Sequence, residues 1–209
     1  MTKVILVRFL SLIVVIAGVL VILGWIFDIQ TLKSVLPQFV TMKLTTAFSF
    51  ILSAIGLYMT TKNIKRGSNI NGLVLIFVNF LLILIMTLLV ISVFFGIKTG
   101  FEDLFISESP GTINTIVPGR PAIVSMINFI IIAIIGLSFL FNQLNMFRFR
   151  QLMSMVVVII AIIAIVGYII GNPILYYHTG GVSTAVALNT AILFVILGVG
   201  FFVSNNKNT

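Results

Sequence analysis

The chain contains no cysteine, one histidine, one tryptophan and only four acidic residues among 209, and charged residues of both signs make up 8% of it. Each scarcity excludes something. Without cysteine there are no disulfides, no thiolate nucleophile and no Cys-ligated metal or cluster. With His178 alone, a bis-histidine haem and any cluster of imidazoles are ruled out. A chain that is 60% apolar with a mean hydropathy of +1.30 has too few polar residues to cover an ordinary soluble core. The formal charge of +8 would suggest nucleic acid in a soluble chain. Here the basic residues are sparse and lie between apolar runs, so membrane topology explains them and no nucleic-acid partner is expected. No Asn-x-Ser/Thr sequon is present, which is compatible with a prokaryotic source.

What is abundant is long apolar sequence. Six runs approach or exceed the roughly 20 residues that cross a bilayer, at 4–27, 43–60, 72–97, 121–141, 152–171 and 183–203. None alternates apolar with polar residues, so a β-barrel is not expected. A lone spanning segment must satisfy its backbone internally, which makes these runs helices. The first run follows Lys3 and Arg8 as a secretory signal would, but its apolar part is too long and no small-residue cleavage site precedes Asp28. It reads as a retained span.

The runs are organised by internal similarity. Gly24-Trp25-Ile26-Phe27-Asp28 is followed, across a polar crossing, by Met42-Lys43-Leu44-Thr45-Thr46-Ala47 and an apolar run carrying Gly56. Gly167-Tyr168-Ile169-Ile170-Gly171 is followed in the same way by Val186-Ala187-Leu188-Asn189-Thr190-Ala191 and a run carrying Gly200. With a one-residue gap, Phe50 lies over Phe194 and Gly56 over Gly200. A weaker middle copy has Ser92-Val93-Phe94-Phe95-Gly96, a longer crossing, and a run with Gly136. Self-similarity at a fixed period marks a repeated structural unit. The expected fold is therefore all-α: an integral membrane bundle of six transmembrane helices, built from three helix-crossing-helix repeats at about 4–60, 72–141 and 152–203 within a single membrane domain, 1–209.

Charge orients this bundle. One side carries Lys3, Arg8, Lys62, Lys65, Arg66, Arg148, Arg150 and Lys207 with no acid, whereas the other sets Lys33, Lys43, Lys98 and Arg120 against Asp28, Glu102, Asp103 and Glu108. The positive-inside rule places both termini in the cytoplasm and the three crossings outside, in a multi-pass cell-membrane protein. In the long middle crossing, Phe101, Leu104 and Phe105 at helical spacing opposite Glu102 and Asp103 predict a short helix resting on the membrane surface.

Chemistry-bearing residues are few. No ionisable group falls at mid-membrane, where proton-coupled and catalytic proteins keep theirs, so no catalytic residue, metal ligand or cofactor is expected. Asn79, Asn128 and Asn189 lie within or at the start of spans, and each should hydrogen-bond to another helix. Gly56, Gly136 and Gly200 should face inward and let the helices pack closely about an approximate three-fold arrangement. Gly-x-Gly at 198–200 lies inside an apolar helix and lacks the strand and acid of a nucleotide-binding loop. Aromatic residues gather on the crossing side: Trp25, Phe27, Phe94, Phe95, Phe101, Phe105, Tyr168, Tyr176 and Tyr177. They fit an interfacial belt, or else the walls of a ligand cavity roofed by the crossings, for which Trp25, Asp28, Lys43, Arg120, Tyr176 and His178 are the candidate contacts. His178 is either an interfacial polar residue or a pH- or ligand-sensing one. Phe147-Arg148-Phe149-Arg150 fits a lipid-headgroup anchor or a docking site for a cytoplasmic partner.

The segment Ala187-Leu188-Asn189-Thr190-Ala191-Ile192-Leu193-Phe194-Val195-Ile196-Leu197-Gly198 resembles the multi-span N-terminal sensory region of prokaryotic sensor histidine kinases and diguanylate cyclases. So do Gly24-Trp25 to Met42-Lys43, and Phe95-Gly96-Ile97 followed by Glu102-Asp103-Leu104-Phe105 and Pro118-Gly119-Arg120. The resemblance implies a membrane sensor or signalling module that detects a ligand or membrane state at the outer face. Its 209 residues contain no kinase or cyclase domain, so the resemblance also implies an output domain lost or supplied by a cytoplasmic or membrane protein partner. Homo-oligomerisation is compatible with the same reading. The alternative is an accessory or structural subunit of a larger membrane complex.

Overall fold

A computed structural model describes residues 2–62, 70–102, 117–141, 144–177 and 184–204. Among the described residues the protein is all-helical. Helix α1 spans Thr2–Ile26, α2 Gln30–Lys33, α3 Leu44–Met59, α4 Ile70–Phe95, α5 Ile123–Ser138, α6 Leu144–Ile170 and α7 Leu188–Ser204, with a 3-10 turn at Pro173–Leu175. The predicted apolar runs and the helices agree within about three residues, except that α6 starts at Leu144 where the run starts at 152, and α7 starts at Leu188 where the run starts at 183. Arg148 and Arg150 interrupt an apolar pattern but not a helix, since arginine is among the better helix formers.

Two classes of helix appear. Helices α1, α4 and α6 have 25, 26 and 27 residues, about 37–40 Å at 1.5 Å per residue, and are long and apolar enough to cross a membrane. Helices α3, α5 and α7 are equally apolar but have 16, 16 and 17 residues, about 24–26 Å. The long helices bury narrow stripes. In α1 the stripe is Val7, Ser11, Val14, Gly18, Val21 and Gly24, a spacing of three and four that keeps one seam on its neighbours and leaves the rest of the helix outward. The short helices bury about half or more of their residues and touch one another.

The packing closes a ring. The most extensive contacts are α1 with α3, α4 with α5, and α6 with α7, and the ring is completed by α3 with α4, α5 with α6, and α7 with α1. Among the described residues the three long helices do not meet. At the centre, Phe50 of α3, Phe129 of α5 and Phe194 of α7 form a triangle of rings with centroids 4.8–4.9 Å apart, tilted or edge-on. That geometry is the favourable one for aromatic quadrupoles. The first backbone bonds of the short helices are Ala47 to Lys43, Met126 to Ala122, and Ala191 to Ala187. Counted from these amides the three phenylalanines hold the same place, but Gly136 falls one residue later than Gly56 and Gly200. Phe129 is therefore in step with Phe50 and Phe194, whereas Gly136 is out of step with Gly56 and Gly200.

All three long helices end in the same cap. Asp28, Gly96 and Gly171 have φ of 55°, 65° and 68°, and the next amide in each case bonds back five residues: Ile29 to Gly24 O, Ile97 to Ser92 O and Asn172 to Gly167 O. This is the left-handed C-cap that satisfies otherwise orphaned carbonyls, and aspartate is one of the few side chains that tolerates glycine's place in it.

Candidate functional site

The caps turn the chain into the crossings, which fold back over the N-terminal ends of the short helices. In the first crossing, Trp25 Nε1 donates to Met42 O at 2.9 Å, and the Met42 amide donates to Lys33 O at 2.8 Å. The Lys33 side chain is buried beneath Trp25, its ammonium 4.6 Å from the indole centroid, and it forms an ion pair with Asp28. The hydrogen bond and charge of Lys33 hold the Asp28 carboxyl below its ordinary range, although the carboxylate is 93% exposed. Lys43, at the N-cap of α3, is buried with its ammonium 3.5 Å from Thr41 Oγ1.

The third crossing repeats this geometry with other residues. Tyr168 donates its hydroxyl to Val186 O at 2.8 Å, and the Val186 amide donates to Tyr176 O at 2.8 Å. Tyr168 and Tyr176 stack with ring centroids 3.9 Å apart, and Phe39 of the first crossing packs on Tyr168 at 4.9 Å. The equivalence of Trp25 with Tyr168 and of Met42 with Val186 follows the sequence alignment.

The middle crossing is different. Glu102 is 2% exposed and its side chain fully buried, so it does not lie on the water face of a surface helix as predicted. Its Oε1 accepts from Ser92 Oγ (3.0 Å) and from Arg120 Nε and Nη2 (3.3 and 3.1 Å), and its Oε2 accepts from the Thr99 amide (3.0 Å) and hydroxyl (2.8 Å). Burial opposes ionisation of Glu102, but its own amide, Thr99, Arg120 and Ser92 outweigh it and hold the carboxyl below the ordinary glutamate range. Arg120 also donates to Ile97 O at 2.7 Å. Arg120 explains the burial: a buried carboxylate persists where a guanidinium and several donors surround it. The rest of the predicted surface helix, Asp103 to Ile106, and His178 lie outside the described residues.

Of the predicted contacts, then, Trp25, Asp28 and Lys43 belong to the first crossing, Arg120 to the second and Tyr176 to the third. The crossings are joined through the openings of the short helices. Thr45 donates its hydroxyl to Gly119 O at 3.2 Å, linking α3 to the second crossing, and Asn189 Nδ2 donates to Lys33 O at 3.2 Å, linking α7 to the first. Asn189 was expected to bond to another helix, and its acceptor, Lys33 O, belongs to the last residue of helix α2 within the first crossing.

The other packing residues are buried as expected, with partners that differ. Asn79 of α4 sits in a notch between Gly56 of α3 and Gly136 of α5, where a Cβ would approach its amide to 3.3 and 2.5 Å. Its Nδ2 donates to Leu75 O of its own helix at 2.8 Å, so the amide is turned back along α4 and does not bridge helices. Asn128 is buried in α5, and its Oδ1 has no hydrogen-bond partner among the described residues. Gly200 faces Leu57 of α3. Sequence reasoning did not single out Lys33, Ser92 or Thr99 as contacts, and it gave Glu102 a place on a surface helix; nothing local in the sequence marks their contacts. Among the described residues no group of His, Cys, Asp and Glu could hold a metal ion. Compared with known proteins, the chain matches no family model, no curated protein and no solved structure.

Proposed function

We propose that this chain is a six-span membrane module of three helix-crossing-helix units, with both termini cytoplasmic, that senses a ligand or membrane state at the crossing face and acts through a protein partner at the opposite face. One observation carries the reading: the crossings are bonded across units to the first turns of the short helices, Thr45 to Gly119 O and Asn189 to Lys33 O. A displacement of one crossing is thereby applied to a neighbouring unit's buried helix, whose far end reaches the other face. The capped ends and the Phe50, Phe129 and Phe194 triangle support the three-unit reading. The short helices fall below the roughly 30 Å hydrocarbon thickness, so as spans they require local thinning of the bilayer.

The test is affinity isolation of the full chain from its native membrane. Recovery with a kinase, cyclase or other signalling protein, diminished by Arg120→Gln, supports the proposal. A second reading, an accessory subunit, is favoured by the mutual satisfaction of the charged groups at the crossing face, where Glu102 and Arg120 bond to each other. Stoichiometric recovery with a transporter or enzyme, unaffected by Arg120→Gln, would replace the sensor with that subunit.

A further inference from the structure

Arg8 and Lys62 meet at one aromatic ring on the face opposite the crossings. Arg8 is exposed on the second turn of α1, and its Nε donates to Thr61 Oγ1 at 3.2 Å. Thr61 in turn donates its hydroxyl to Tyr58 O at 2.8 Å. The Arg8 guanidinium lies 5.7 Å and the Lys62 ammonium 5.1 Å from the centroid of the Tyr58 ring. Two cations are thus held together at the C-terminal end of α3.

Among the described residues no acid neutralises them. The chain's four carboxylates, Asp28, Glu102, Asp103 and Glu108, all fall in the first two crossings, and Asp28 is about 30 Å away along α1. The end of α3 contributes about half a negative charge, which leaves most of the positive charge uncompensated. Depth sharpens the problem. Counting about 20 residues back from Ile26 puts Arg8 at or just inside the hydrocarbon boundary. The Arg8–Thr61 bond sets it level with the end of α3, a helix shorter than the hydrocarbon is thick. A lipid-facing cation at that depth needs an anion brought to it, and the bilayer supplies one in the headgroup phosphate.

Resting on the membrane reading above, we propose that Arg8, Tyr58, Thr61 and Lys62 form a site for the headgroup phosphate of an anionic phospholipid, seated over the end of α3. The arginine fork suits a phosphate's paired oxygens, and the lysine serves as a point charge. Binding draws the headgroup inward, and so supplies the local thinning that the short helix requires.

The full chain in detergent, titrated with phosphatidylglycerol, phosphatidylcholine or inorganic phosphate and followed by native mass spectrometry, tests this. Phosphatidylglycerol should bind at least tenfold more tightly than phosphatidylcholine. Arg8→Gln and Lys62→Gln should each weaken it roughly fivefold, the equivalent of about 1 kcal/mol per cation near an anionic surface. The double variant should lose the preference, while Arg8→Lys and, at the other face, Lys98→Gln keep it. Equal binding of the two lipids, a preference surviving in the double variant, or inorganic phosphate binding as tightly as the lipid would overturn the site. Resistance to carbonate extraction tests the membrane reading separately: a chain that stays in the membrane but shows no headgroup preference refutes only this site.

Discussion

Gly136→Ala is the smallest change that should measurably disturb the bundle. The added methyl would sit 2.5 Å from Asn79 Oδ1 and 2.8 Å from both its Cγ and Nδ2, well inside contact distance. The amide has little room to retreat. Its nitrogen is held by Leu75 O, and its other side meets Gly56, where a Cβ would already lie at 3.3 Å. Overpacking of this kind costs about 1–3 kcal/mol, which for a chain of this size lowers the melting temperature by about 2–12 °C. Gly200→Ala makes an equally short approach, 2.5 Å, but to Leu57 Cδ2, the free end of a flexible side chain, so its cost should be smaller. The assay is thermal unfolding in detergent, with outward-facing Leu84→Ala as control. Adding Asn79→Ala to Gly136→Ala should recover part of the loss, giving a coupling opposite in sign to the single effects. If Gly136→Ala melts with the wild type, or Asn79→Ala brings no recovery, the notch does not hold α3, α4 and α5 as described.

Other expectations follow from the crossings. Glu102 has its carboxyl lowered on folding, so the unfolded chain binds the extra proton: the stability it contributes is present above the ordinary glutamate value near 4.5 and is lost as pH falls below it. Melting against pH should show that loss in the wild type and not in Glu102→Gln. Arg120→Gln leaves the carboxylate buried without its guanidinium and should cost about 3–5 kcal/mol at neutral pH, read from the same melts. Trp25→Phe and Tyr168→Phe each orphan one carbonyl, of Met42 and Val186, and should destabilise by a similar amount, about 1–3 kcal/mol; strongly unequal losses would argue against equivalent roles for the first and third units. Reporter fusions after Thr209 and within 61–71 should report cytoplasm and one at Ser109 the outside, and a cytoplasmic Ser109 would reverse the orientation.

Much of the helical framework was legible because a backbone in an apolar environment leaves few alternatives. The alignment of Asp28 with Gly96 and Gly171 coincides with three left-handed caps, although nothing local marks Asp28 as a cap residue. The facing of the helices was far less legible. Lipid and protein interior are both apolar, so Phe129, which completes the central triangle, looks no different in sequence from outward Phe77 or Phe80. A glycine announces a close approach without naming the neighbour, hence Gly56 and Gly136 meet one asparagine while Gly200 meets a leucine. The candidate site was read least well. Charges in a crossing suggest water, yet Lys33, Lys43, Glu102 and Arg120 are buried, Glu102 and Arg120 because each is the other's partner across 18 residues of sequence.

The ring of long and short helices is tested most directly by cross-linking, which the absence of native cysteine makes unambiguous. Three pairs probe three contacts: Asn79→Cys with Gly136→Cys for α4 and α5, Val158→Cys with Gly198→Cys for α6 and α7, and Leu57→Cys with Gly200→Cys for the inner contact of α3 with α7. At each glycine the new Cβ would lie close to the partner side chain, 2.8 Å from Asn79 Cγ, 2.5 Å from Val158 Cγ2 and 3.6 Å from Leu57 Cγ, within reach of a disulfide after small adjustment. Mild oxidation in native membranes should join all three pairs within one chain, and should leave Leu84→Cys with Leu152→Cys, on the outward surfaces of two long helices, unjoined. Failure of all three pairs while the control pair joins would contradict the ring of helix pairs and the inner contact between its short helices.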